Sequence, residues 1–69
     1  MLFETFLKLL MAAASESGEE DWDVHVIMET DAEGENLKAV VEVHDDNGDT
    51  VVMGTFAEVV AKLVDIIAD

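Results

Sequence analysis

The spacing of apolar residues changes twice along this chain, and that change narrows the folds open to it. Over residues 2–15, Phe3, Phe6, Leu7, Leu10 and Ala14 recur at helical intervals while Glu4, Thr5 and Lys8 fall elsewhere, which predicts an amphipathic helix with those five residues inward. Gly18, after Ser15-Glu16-Ser17, is placed to take the left-handed position past the helix end. From Trp22 the period drops to two: Trp22, Val24, Val26 and Met28 alternate with Asp23, His25, Ile27 and Glu29, as in a half-buried strand. After the polar turn Asp31-Ala32-Glu33-Gly34-Glu35, residues Leu37, Ala39, Val41 and Val43 alternate with Lys38, Val40, Glu42 and His44. The two runs predict an antiparallel hairpin. A register that sets Glu29 against Lys38, Ile27 against Val40, His25 against Glu42 and Asp23 against His44 joins opposite charges across the strands.

Asn47-Gly48, inside Asp45-Asp46-Asn47-Gly48-Asp49, marks a second hairpin. A two-residue turn would pair Val43 with Val52. A three-residue loop with left-handed Gly48 pairs Val43 with Val51, Val41 with Met53 and His44 with Thr50, and is preferred because it keeps Val51 and Met53 on the apolar face. Thr55-Phe56-Ala57-Glu58 fits a capping box, so a second helix starts at Phe56. Its inward stripe is Phe56, Val59, Val60, Leu63 and Ile67, with Glu58 and Lys62 spaced for an (i, i+4) pair. The expected fold is α+β: α-β-β-β-α, a three-stranded antiparallel meander with two helices packed on one face, forming a single compact acidic domain over residues 1–69. The other sheet face, with Ile27, Val40 and Val52, stays open.

Charge then limits function. Seventeen acidic residues against three lysines and no arginine give a net charge of −14. A body of that charge is repelled by anionic membranes, DNA and RNA, so a partner recognised through charge must be basic. Half the residues are hydrophobic, which separates the chain from disordered acidic tails. Cysteine is absent, so disulfides and thiolate chemistry are excluded and the expected location is cytoplasmic. No nucleophile elbow, glycine-rich dinucleotide loop or Walker loop occurs, and carboxylates in exposed turns do not form an acid/base pair with separated pKa values. The expectation is therefore not an enzyme, with no cofactor. Neither acidic turn fits an EF-hand frame, which leaves weak Ca²⁺ binding at most. His25, His44, Asp23 and Glu42 could share the open face, but each histidine is expected to satisfy a neighbouring carboxylate rather than hold zinc.

The placement of the acid is more informative. Thirteen of the seventeen acids, and only Lys38 of the lysines, lie between Glu16 and Asp49. Glu16, Glu19, Glu20 and Asp21 follow the end of the first helix, where the macrodipole favours cations, and Asp45, Asp46 and Asp49 crowd one turn. Such local repulsion without structural gain marks function. Carboxylates on projecting turns can imitate a phosphate backbone and occupy the arginines and lysines of a nucleic-acid-binding protein, whose affinity already rests on phosphate neutralisation.

In topology and in scattered identities over residues 2–68, the chain resembles the small phage-encoded type II-A anti-CRISPR proteins, DNA mimics acting on the guide-RNA-loaded nuclease of type II CRISPR systems. The matching places are Asp21-Trp22-Asp23-Val24, Thr30-Asp31, Val41-Glu42-Val43, Asp46-Asn47-Gly48-Asp49 and the helix start near Phe56. The resemblance implies that Asp46, Asn47 and Asp49, with Asp45, enter the pocket that reads the PAM. It also implies that Asp21 touches the same domain and that Asp31 faces the nuclease region. Asp23 and Glu42, within the matching stretches, complete the candidate set. The hairpin turn is one residue longer here, and the acidic third helix of that family's known member is lacking. The resulting expectation is a non-enzymatic inhibitor in the host cytoplasm. The competing readings are a halophilic domain whose acid serves hydration, a structural module that pairs its open face in a homodimer, and a computationally designed α+β protein.

Overall fold

The structure, a computed structural model, describes residues 1–68; Asp69, the last residue of the expected domain, lies outside them. Helix α1 (Phe3–Glu16) is followed by strands β1 (Asp23–Thr30), β2 (Leu37–His44) and β3 (Thr50–Gly54) and by helix α2 (Phe56–Ala68). The strands form one antiparallel sheet in the order β1-β2-β3. This is the expected α+β meander. Helix α2 packs across β2 and β3, and α1 packs on α2. One core joins Phe6, Leu10, Ala13 and Ala14 of α1 to Trp22, Val41 and Val43 and to Val59 and Leu63 of α2. Among the described residues no helix is long and apolar enough to cross a membrane.

The α1 stripe is rotated from the expected one. Phe6, Leu10 and Ala14 face in, but Phe3 is 71% exposed and Leu7 lies outside the core, while Ala13 is fully buried. Two adjacent stripes share one helical period, and small Ala13 and Ala14 let α2 approach more closely than Phe3 and Leu7 would. Phe56, at the start of α2, stays partly exposed but sets its ring 5.1 Å from that of Phe6. The end of α1 is closed by a Schellman motif. Gly18 takes φ +78°, Glu19 N–H donates to the Ala14 carbonyl (2.9 Å) and Gly18 N–H to that of Ser15 (3.0 Å), which satisfies carbonyls the helix leaves unpaired.

The first hairpin has the expected register, with Asp23 opposite His44, His25 opposite Glu42, Ile27 opposite Val40 and Glu29 opposite Lys38. The second combines the two alternatives. Its loop is the three-residue one, with Gly48 at φ +86° and His44 opposite Thr50, but a register shift then sets Val43 opposite Val52 and Glu42 opposite Met53. An extra residue in β3 accommodates this, as in a β-bulge. The expected Val43–Val51 and Val41–Met53 pairs are therefore replaced. Val52 falls on the helix side with Val43, and Met53, 59% exposed, lies on the open face with Ile27 and Val40.

The capping box at α2 is present: Thr55 N–H donates to Glu58 Oε1 (3.1 Å) and Glu58 N–H to Thr55 Oγ1 (3.2 Å). Turned back to Thr55, the Glu58 carboxylate forms no ion pair with Lys62, contrary to the expected (i, i+4) pair; the helical pair that does form is Lys8–Glu4 at 3.6 Å. Thr55→Ala should cost about 1 kcal/mol, a fall in Tm of about 4–8 °C in a domain of this size. Backbone N–H groups hold two exposed carboxylates below their usual pKa: Thr55 N–H lowers Glu58, and Glu35 N–H, then the Asn36 side chain, lower Asp31. Because the folded values are depressed, the stabilisation is present above the unfolded pKa of about 4 and is lost as pH falls through the folded values. Glu58→Gln should flatten the acid limb of a Tm-against-pH curve.

A candidate acidic interface at one end of the sheet

The two hairpin turns are built alike, each around an aspartate. Asp45 Oδ1 accepts N–H bonds from Asn47 and Asp49, both 2.9 Å, while Gly48 N–H donates to the Asp45 carbonyl and Asp45 N–H to that of Asp49. In the β1–β2 turn, Asp31 Oδ1 accepts from Glu33 N–H (3.1 Å) and Glu35 N–H (2.9 Å), Asp31 Oδ2 accepts from Asn36 Nδ2 (2.7 Å), and Gly34 takes φ +72°. Asp-x-x-Gly followed by an acid is thus one local solution used twice, with the aspartate side chain ordering its own loop. Asp31 and Asp45 therefore spend carboxylate oxygens on their own loops, while Asp46, Asn47 and Asp49 are exposed on the loop that Asp45 holds.

A second loop is tied to this one. The Schellman motif directs the chain after α1 so that Glu19 Oε1 accepts the N–H of Asp46 at 2.9 Å. Glu19 stands in the acidic run that the sequence singles out after the first helix but outside the candidate contact set, and its tie to a residue 27 positions away leaves no local signal. The tie joins the α1–β1 loop to the β2–β3 turn, and the pairing of Asp23 with His44 places the start of β1 at the same end. Of the eight candidates, Asp21, Asp23, Asp45, Asp46, Asn47 and Asp49 gather here, together with Glu19 and Glu20. No lysine occurs in either loop or in the strand ends that flank them.

The remaining two candidates lie elsewhere. Asp31 sits at the opposite end of the eight-residue strand β2, about 25 Å away at 3.3–3.4 Å per residue. Glu42 lies on the open face between the ends, half-buried, with His44 Nε2 at 3.8 Å. His25 and His44 set their rings 4.8 Å apart, and His44 Nε2 is buried without a hydrogen-bond partner, so the expected bond from His44 to a neighbouring carboxylate is not made at that nitrogen. Among the described residues no group of three or more His, Asp and Glu side chains is arranged to hold a metal ion.

The open face also carries a shallow hollow of about 320 Å³, floored by Ile27, Val40 and Met53 and edged by Glu29, Lys38 and Glu58. Its Glu58 carboxylate is held ionised by the Thr55 N–H, which disfavours it as a proton donor near neutral pH. The acidic end presents carboxylate oxygens to solvent on loops held by their own hydrogen bonds, with no lysine beside them, an arrangement suited to binding cationic groups. No known protein family, no curated protein and no solved structure matches this chain.

Proposed function

We propose that the protein is a non-enzymatic inhibitor that imitates nucleic-acid phosphate and occupies the DNA-reading site of a nuclease, specifically the PAM pocket of a guide-RNA-loaded type II CRISPR effector. The observation that carries this reading is the hydrogen bond from Asp46 N–H to Glu19, which fixes two acidic loops side by side at one end of the sheet. Asp46, Asn47 and Asp49 are the leading contacts, Asp21 and Asp23 flank them, and Asp45 shapes the loop. Asp31 stands about 25 Å away, some seven phosphate steps along one strand at 3.4 Å each, so it would meet a separate part of the same basic surface. Arginines that read bases lie in such surfaces, and charge-matched carboxylates speed encounter with them.

Equilibrium binding to the effector, with and without guide RNA and with PAM-bearing duplex as competitor, tests the proposal. Expected are guide-dependent binding, displacement by the duplex, and weakening as salt rises from about 0.1 to 0.5 M. Failure to bind the loaded effector, or binding indifferent to the duplex, would overturn it. The halophilic reading separates by melting: it requires an unfolded chain at low salt, whereas the inhibitor reading expects a folded chain whose Tm rises as salt screens the −14 charge.

A further inference from the structure

The order β1-β2-β3 leaves β1 at a sheet edge, with outward backbone N–H and C=O groups unpaired along eight residues. Native edges are normally guarded by lysine, proline, a bulge or a covering element. From Val24 to Met28 this one has no charged residue other than the titratable His25, no proline and no irregularity in its pairing. No helix covers it either, since α2 crosses only β2 and β3 and α1 lies on α2. On the helix side, Val26 is 60%, Met28 55% and neighbouring Leu37 66% exposed. The hairpin projects as an arm, giving extents of 43 × 26 × 19 Å and a radius of gyration of 13.0 Å, against about 11 Å for a compact chain of this length.

We infer that the protein forms a two-fold homodimer in which two β1 edges pair antiparallel about Ile27, completing a six-stranded sheet. A two-fold axis perpendicular to the sheet requires directly opposed residues to share a face, so each position must meet one an even number of residues away. Centring on Ile27 sets Val26 against Met28 of the second copy, twice, and His25 against Glu29, also twice, an apolar and a polar cross-strand match. Centring on Val26 instead would oppose Asp23 and Glu29 within the paired strands, whereas the Ile27 centring keeps like charges out of the strands and brings Asp23 level only with Asp31, one residue past the end of β1. The accessible surface of 4815 Å² exceeds by about 570 Å² the roughly 4,250 Å² of a compact monomer of this mass. That excess reflects the projecting hairpin, and a single ladder between two β1 edges adds only a narrow contact, at the small end of specific interfaces. The pairing is therefore expected to be weak and reversible. It uses the edge opposite β3 and leaves Asp46 and Asp49 free in each copy, with Asp23 the one proposed contact that lies on the paired strand, and it does not rest on the nuclease reading.

The sign of the salt effect separates the two. Association of two bodies of charge −14 is opposed by repulsion, so the dimer tightens as salt rises, whereas binding to a basic partner weakens. Sedimentation equilibrium from about 5 to 500 µM protein should show the mass doubling, with a dissociation constant about ten-fold lower at 0.5 M than at 0.05 M salt. Val26→Lys should abolish the doubling although it lowers the net negative charge, while Met11→Lys, the same charge change on exposed α1 surface, should retain it. Hydrogen exchange on the wild-type chain, which needs no variant to fold, should show slower exchange of β1 amides at 500 than at 5 µM. A monomer throughout that range at high salt, a dimer that survives Val26→Lys, or β1 exchange indifferent to concentration would overturn the proposal.

Discussion

Leu63→Ala should lower Tm by at least about 12 °C and leave much of the protein unfolded near 37 °C, measured by circular dichroism. Leu63 is fully buried, one of the three largest fully enclosed side chains with Val43 and Val59, and it belongs to the helix that joins α1 to the sheet. Truncating a buried leucine costs about 2.7–5 kcal/mol through lost transfer free energy and the cavity left behind. A chain of 69 residues holds only about 3–10 kcal/mol in total at 0.05–0.15 kcal/mol per residue, and self-repulsion lowers it further. Each kcal/mol moves Tm by about 4–8 °C at this size. Leu63→Met keeps the volume and should cost under about 1.5 kcal/mol. Val64→Ala, one position on and partly exposed, should cost less than Leu63→Ala by a clear margin. Added salt should recover part of the lost Tm but not refill the cavity. If Leu63→Ala melted within a few degrees of the unaltered chain, α2 would not be the keystone of the core.

What the sequence makes legible follows from how local each determinant is. The first hairpin could be read to the residue because a one-position slip would put Val24 and Val26 on the face opposite Val41 and Val43 and separate the opposed charges, so one register satisfies both demands. In the second hairpin the demands diverge. Asn47-Gly48 specifies the loop, but Val51 and Val52 are chemically identical, and nothing local states that an extra residue after Thr50 moves Val52 to the helix side. The stripe of α1 failed for a related reason: period alone does not choose between Phe3 and Ala13, and the choice belongs to the close approach of α2. In the acidic end the charge was legible and the division of labour was not. Asp31 and Asp45 carry the Asp-x-x-Gly signature of a self-ordering turn, yet crowding of acid directs attention outward. Glu19 acts through a contact across the fold, which only the folded chain reveals.

The double substitution Asp46→Asn/Asp49→Asn should weaken binding to the guide-loaded effector by about ten- to hundred-fold while Tm holds or rises. The loop is held by groups these changes do not touch: the Asp46 N–H on Glu19, the Asp49 N–H on Asp45, and left-handed Gly48. Asparagine keeps the shape of each side chain and removes only charge, so the loop persists with less crowding, and a lost carboxylate leaves a basic partner group without its counter-charge. The slope of log affinity against log salt should become shallower, since fewer charges are neutralised on binding. Asp45→Ala makes the contrast. It deletes the acceptor of the Asn47 and Asp49 N–H groups, so it should lower affinity and Tm together, whereas Asp45→Asn keeps an oxygen in place and should spare the fold. Asp31→Asn, at the far end of β2, reports whether the partner spans both turns: a further loss of affinity means a contact about 25 Å long, and no loss confines it to the end held by Glu19. Undiminished affinity in the double variant, with the fold intact, would remove the acidic turn from the binding surface and with it the case for phosphate imitation at that end.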